Sequence, residues 1–120
     1  MYRNAPVDSP LGIVAFGRNV VGIDRFTGRR AWTFTSPSGT WSRLFVTHDR
    51  VIVVGGYRLV CLDYATGAMI WDIQAPVPLH TVVLDGAQLL GGAVGEVVCL
   101  SVETGKVLWR ERFEGMGLAA

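Results

Sequence analysis

Two cysteines, two histidines and ten acidic residues are the side chains of this sequence suited to nucleophilic, acid–base or metal chemistry. A disulfide or a shared metal would need Cys61 and Cys99 to meet. They stand far apart in the chain in near-identical surroundings, Val60-Cys61-Leu62 and Val98-Cys99-Leu100. Equivalent places in sheets stacked ~10 Å apart cannot be bridged, so each reads as a small buried residue between layers. His48 and His80 are not equivalent to each other, and no nucleophile–base–orienter set includes them; both read as surface residues at loop edges. No HExxH, CxxC or GxxxxGK[ST] run occurs. Gly91-Gly92-Ala93-Val94-Gly95 is rich in glycine but opens no helix, so it reads as a hairpin turn and not as a phosphate cradle. The expectation is a protein with no catalytic residues, no cofactor and no metal.

The elements that carry these residues are repeated. Asn19-Val20-Val21-Gly22-Ile23-Asp24-Arg25-Phe26-Thr27-Gly28 returns as Arg58-Leu59-Val60-Cys61-Leu62-Asp63-Tyr64-Ala65-Thr66-Gly67. It returns again as Glu96-Val97-Val98-Cys99-Leu100-Ser101-Val102-Glu103-Thr104-Gly105. Each copy runs on to a tryptophan at the same offset, Trp32, Trp71 or Trp109. The Thr-Gly pairs at 27, 66 and 104 set a period of 39 (66 − 27) and 38 (104 − 66). A period of ~40 means one supersecondary unit per repeat, stacked on its neighbours.

Each unit reads as short strands joined by Gly and Asp turns, with no capped 3.6-residue period, so helix content should be near zero. In the middle copy the strands fall at 42–47, 51–54, 59–62 and 69–73. The third copy opens at 79–84, continues through 88–93 and ends at Phe113. The first fits Arg3 to Val7, 11–16, 20–23 and 31–34, with a turn at Asp8-Ser9-Pro10. Connectors at 36–40 and 75–78 carry proline. The chain is read as a single unit over 1–120, with repeats over about 1–35, 41–74 and 79–113 and a Gly115-Met116-Gly117-Leu118 tail. Asp63 can accept N–H groups two or three residues on, and Gly67 supplies the positive φ of a bulged hairpin. Asp24 and Gly28 repeat that pair, and Ser101 should do the work of Asp more weakly. Val-Val-Cys-Leu and Val-Ile-Val-Val are apolar at successive positions, as in strands covered on both faces.

Half of the 120 residues are hydrophobic and the net charge is +1. No run of ~18 apolar residues is present and the start has no signal-peptide core, so no membrane span and a cytoplasmic location are expected. Residues 1–50 hold seven Arg against three Asp, and residues 51–120 hold four positive against seven acidic side chains. The head is basic (+4) and the tail acidic (−3), which suits head-to-tail contact. Neither half has the dense basic patch of a nucleic-acid footprint.

The pattern apolar-apolar-small-Leu/Ile-Asp-x-x-Thr-Gly-x-x-x-Trp, at 20–32, 59–71 and (with Ser for Asp) 97–109, resembles the repeat of quinoprotein-like β-propellers. That family includes the pyrroloquinoline-quinone dehydrogenases and the cofactor-free, BamB-like branch. The resemblance covers nearly the whole chain. It implies an all-β fold of three four-stranded antiparallel blades, with Trp32, Trp71 and Trp109 docking between blades. It also assigns structural roles to Asp24, Asp63, Thr27, Thr66, Thr104, Gly28, Gly67 and Gly105. The dehydrogenases use a vicinal Cys-Cys pair and a calcium site of Glu, Asn and Asp. No such pair is present, and Asn4 and Asn19 are the only asparagines.

Propellers typically close with ~4–8 blades, so three make an open arc. Two copies joined head to tail would give six blades and three copies nine, unless the chain is part of a longer polypeptide. A non-catalytic interaction or scaffolding module is the expected role, with the chain itself and a further protein as partners. The alternatives are a fragment or relic of a quinone-dependent dehydrogenase, and a small-ligand or glycan binder. On the usual propeller topology Arg18, Asn19, Trp41, Tyr57, Arg58, His80 and Glu96 share one face. Of these Arg18, Trp41, Tyr57, Arg58 and His80 are the candidate interaction residues, since Trp, Tyr and Arg are enriched at interface hot spots. The opposite face should carry Arg25, Arg29 and Arg30.

Overall fold

The structure is a computed structural model that describes residues 9–37 and 39–115. The strand expected over Arg3 to Val7 and the tail after Gly115 lie outside the described residues. All eleven described elements are strands. The first sheet contains β1 (Leu11–Phe16), β2 (Asn19–Asp24) and β3 (Arg30–Thr35). The second contains β4 (Arg43–Val46), β5 (Arg50–Gly55), β6 (Arg58–Asp63) and β7 (Met69–Gln74). The third contains β8 (Thr81–Asp85), β9 (Gln88–Ala93), β10 (Glu96–Ser101) and β11 (Val107–Arg112). Within each sheet every strand pairs antiparallel with the next in sequence, an up-and-down meander.

Alternation along the strands of the middle sheet decides how the three stack. Leu44, Val46, Val51, Val53, Val60 and Leu62 join Ile13, Val20 and Trp32 of the first sheet in one core. Their immediate neighbours Phe45, Ile52, Val54, Leu59 and Cys61 join Val82, Leu89, Val98 and Leu100 of the third sheet in another. Successive side chains of a strand point to opposite faces, so a run that is apolar at every position needs a sheet on either side. The buried run Val51–Val53 at the centre of β5, fully inaccessible to solvent, is the direct result.

Two expectations change. Gly91, Gly92 and Ala93 belong to β9 and not to a turn, which is confined to Val94 and Gly95. Glycine at 91 lets Leu79 pack directly on the strand, since a Cβ there would lie 2.8 Å from the Leu79 methyls and push them aside. Leu79 covers β9 in this way from the connector, so β8 starts at Thr81 and not at 79.

Candidate functional site

The Asp-x-x-Thr-Gly turns share one construction. Asp63 Oδ2 accepts the Thr66 N–H and hydroxyl, each at 2.9 Å, and Asp24 Oδ1 accepts the N–H groups of Phe26 (2.9 Å) and Thr27 (3.1 Å). The Phe26 and Thr27 amides hold the Asp24 carboxyl below its ordinary range. Ser101 Oγ accepts the Thr104 N–H at a longer 3.3 Å, a weaker version of the same bond. Each Thr hydroxyl accepts an N–H two residues on at 3.2 Å. Gly28, Gly67 and Gly105 then turn the chain with φ of 77°, 75° and 76°. The extra residue appears as a bulge after Gly22, Cys61 and Cys99.

These turns are also seats for the tryptophan of the preceding sheet. Trp32 Nε1 donates to the Tyr64 carbonyl at 2.9 Å, and its ring lies where a Cβ on Gly67 would be. Trp71 Nε1 donates to the Val102 carbonyl at 2.8 Å, and a Cβ on Gly105 would stand 2.8 Å from its ring. The left-handed turn thus requires glycine twice, for φ and for the indole above it. Trp32 and Trp71 are 8% and 9% exposed; Trp109, at the same position of the third sheet, is 44% exposed. Among the described residues the Trp109 N–H meets no acceptor. At the other end nothing described lies within 4 Å of a Cβ built on Gly28.

The candidate interaction residues fall into one braced cluster and two outliers. Trp41 Nε1 donates to the Arg18 carbonyl at 3.1 Å, and its ring stands 6.3 Å from that of Phe34. The Arg58 guanidinium lies 5.6 Å over Trp41, grips Asp72 with two bonds of 3.1 and 2.8 Å, and reaches Ser36 Oγ at 2.8 Å. Trp41 and Arg58 therefore tie the first sheet to the second, with part of each left at the surface. Tyr57 is 48% exposed beside them. His80 is exposed on the next connector, where its carbonyl accepts from Arg43 Nη2 at 2.7 Å. Glu96 leaves the expected surface set: its side chain is only 9% exposed because Arg110 closes over it in a direct ion pair. That pair pulls the Glu96 carboxyl below its ordinary value. Arg25, Arg29 and Arg30 are exposed as a basic group, Arg25 donating to the Ser9 carbonyl at 2.8 Å.

Two features escape a reading of the sequence alone. Arg58–Asp72 and Glu96–Arg110 are one cross-strand pair with its charges exchanged, at the same separation along the chain in both sheets. The signal was available as opposite charges at equal spacing. Tyr64 is the other: its hydroxyl accepts the Leu11 N–H at 2.7 Å and donates to the Leu11 carbonyl at 2.9 Å, clipping the second sheet to the first. Nothing local distinguishes this tyrosine from a solvent-facing turn residue, since the contact spans 53 positions.

Cys61 and Cys99 are free and buried, and burial raises both thiols above their ordinary range, which makes them poor nucleophiles. His48 is exposed, with Nε2 at 3.7 Å from Asp49 Oδ2. Among the described residues no cluster of three or more His, Cys, Asp or Glu side chains could hold a metal ion.

Antiparallel meanders of three or four described strands, stacked face to face and locked by a tryptophan on the next turn, define a PQQ-type repeat β-propeller. The family model described as outer membrane protein assembly factor BamB matches residues 16–90, more than half of the sequence, and the chain belongs to that family. Its fold is similar to BamB from Moraxella catarrhalis, with a TM-score of 0.71 and 24% identity, over 92% of this chain and 37% of that one. It is similar also to the quinohemoprotein alcohol dehydrogenase from Comamonas testosteroni (TM-score 0.71, 21% identity, 87% of this chain and 20% of that one). A quinohemoprotein alcohol dehydrogenase from Pseudomonas putida HK5, ADHIIG, gives 0.72 and 20% identity, over 92% of this chain and 20% of that one. The chain thus spans little more than a third of that BamB and a fifth of the dehydrogenases. No curated protein matches the sequence.

Proposed function

We propose that the chain is a non-catalytic protein-interaction module whose first partners are further propeller blades, joined head to tail into a closed ring. The observation that carries this reading is β11. It is exposed at all six positions, whereas β3 and β7 bury their tryptophan against a following turn. Its faces are built to be covered, and its polar groups are spent on turns and on bracing between sheets. The braced cluster of Arg18, Trp41 and Arg58, with Tyr57 beside it and His80 on the next connector, is the surface such a ring would offer to another protein.

Native mass by light scattering tests the reading. A species heavier than the 13.0 kDa chain supports it. Likeness to the quinohemoprotein dehydrogenases favours a second reading, a relic of a quinone-dependent propeller. Titration with pyrroloquinoline quinone and calcium separates the two, because a tightly bound quinone chromophore would overturn the non-catalytic role.

A further inference from the structure

The two internal joints of this chain define what a third joint needs, and both halves of that joint lie unused at its opposite ends. In each joint an indole from the last strand of one sheet seats on the glycine of the next sheet's Thr-Gly turn. Among the described residues Trp109 is an indole with no seat, and Gly28 is a seat with no indole above it. The surrounding faces agree. Behind Trp109, Val83 is 51% exposed and Leu90 and Val97 are partly exposed, where Phe45, Ile52 and Leu59 of the middle sheet are 3%, 0% and 0%. In front of Gly28, Val14, Val21 and Ile23 are partly exposed, where their equivalents Val53, Val60 and Leu62 are fully buried.

We infer that the occupant of this face is a second copy of the chain, with Trp109 of each copy seated on Gly28 of the other. The inference rests on the reading of the chain as a ring-forming module and names the joint. Charge argues for this partner. Glu111 holds the position of Ile73, whose side chain touches the seat of Trp71 at Gly105. In the new joint Glu111 therefore comes to a turn flanked by Arg25 and Arg29, both exposed. A basic head meeting an acidic tail is satisfied by a copy of the same chain, and two such joints close six blades, within the usual range for a ring.

The test uses wild type, Trp109→Ala and Gly28→Ala, each followed by sedimentation equilibrium with thermal unfolding as a control for folding. The alanine methyl at 28 enters open space in the free chain and the seat of the indole in the joint. Its positive φ strains the turn in either state, and thermal unfolding reads that cost separately. Wild type should sediment at twice the 13.0 kDa mass of the chain. Either substitution weakens both joints, each by roughly thirtyfold for a lost interface tryptophan, so the dimer constant should rise on the order of a thousandfold. Mixing the two variants should restore much of the affinity, because one joint of the mixed dimer keeps both Trp109 and Gly28. A wild-type dimer unaffected by both folded variants, or variants that weaken it but are not rescued by mixing, overturns the joint while leaving a self-associating module. A wild-type chain that stays at 13.0 kDa overturns both the joint and assembly from copies of this chain, and its open faces then belong to another occupant.

Discussion

Trp71 and Trp109 hold the same position of their repeats and have opposite surroundings in space. The Trp71 ring packs on Gly105 and its N–H is bonded, so Trp71→Ala leaves a cavity and an unpaired Val102 carbonyl. The loss should be about 3–5 kcal/mol, a large share of the ~5–15 kcal/mol that holds a domain together. Trp109→Ala should cost under about 1 kcal/mol when measured on the dilute, monomeric chain. Denaturant unfolding of the two variants side by side checks the contrast; equal losses would contradict the difference in burial. Glu96 gives a pH-dependent counterpart. Its folded-state value lies below the ordinary 4.5, chiefly through its hydrogen bond with Arg110. The stabilisation is thus fully present above the unfolded value and disappears as pH falls through the folded one. Wild type should exceed Glu96→Gln in stability above about pH 5, and the gap should close in acid, as followed by unfolding midpoints across that range.

At the scale of the element, the hairpin turn sets the quality of each seat. Asp63 and Asp24 each accept two donors, while Ser101 accepts a single long bond from the Thr104 N–H. Ser101→Asp should therefore stabilise the third turn by about 0.5–1.5 kcal/mol, and Asp63→Ala should destabilise the second by at least as much. Hydrogen exchange of the Thr104 and Thr66 amides reads each effect where it arises. The strands that follow these turns, β3, β7 and β11, share only their tryptophan in sequence, so the turn chemistry accounts for their common geometry. The cross-strand pair does not need a fixed polarity: Arg58–Asp72 and Glu96–Arg110 give the same bridge with charges reversed.

For the whole molecule, the decisive asymmetry is that among the described residues one sheet has two covered faces and two sheets have one each. The middle sheet contributes alternate residues to two cores, and neither end sheet can do so from within the described residues. Assembly is the physical answer to such exposed faces. Because the basic head and acidic tail meet in the proposed ring, association should slow as salt rises from about 0.05 to 1 M, while the dissociation rate changes less. Stopped-flow mixing that follows tryptophan fluorescence measures both rates, and an association rate indifferent to salt would argue against charge-guided docking.

The repeat period, the Asp-x-x-Thr-Gly turns and the doubly apolar strands determined the sheet count and most strand limits, because hydrogen-bonded turns and side-chain alternation act within a few residues. The same local signals placed Cys61 and Cys99 correctly as small, buried side chains. They could not tell Trp109 from Trp71, bury Glu96 beneath Arg110, reveal the Tyr64–Leu11 clip, or keep Gly91 in a strand beneath Leu79. Each of those depends on which surface lies opposite, a relation between residues distant in the chain. Only the stacking of complete sheets creates it, and that stacking also leaves one indole and one glycine seat facing outward at the two ends.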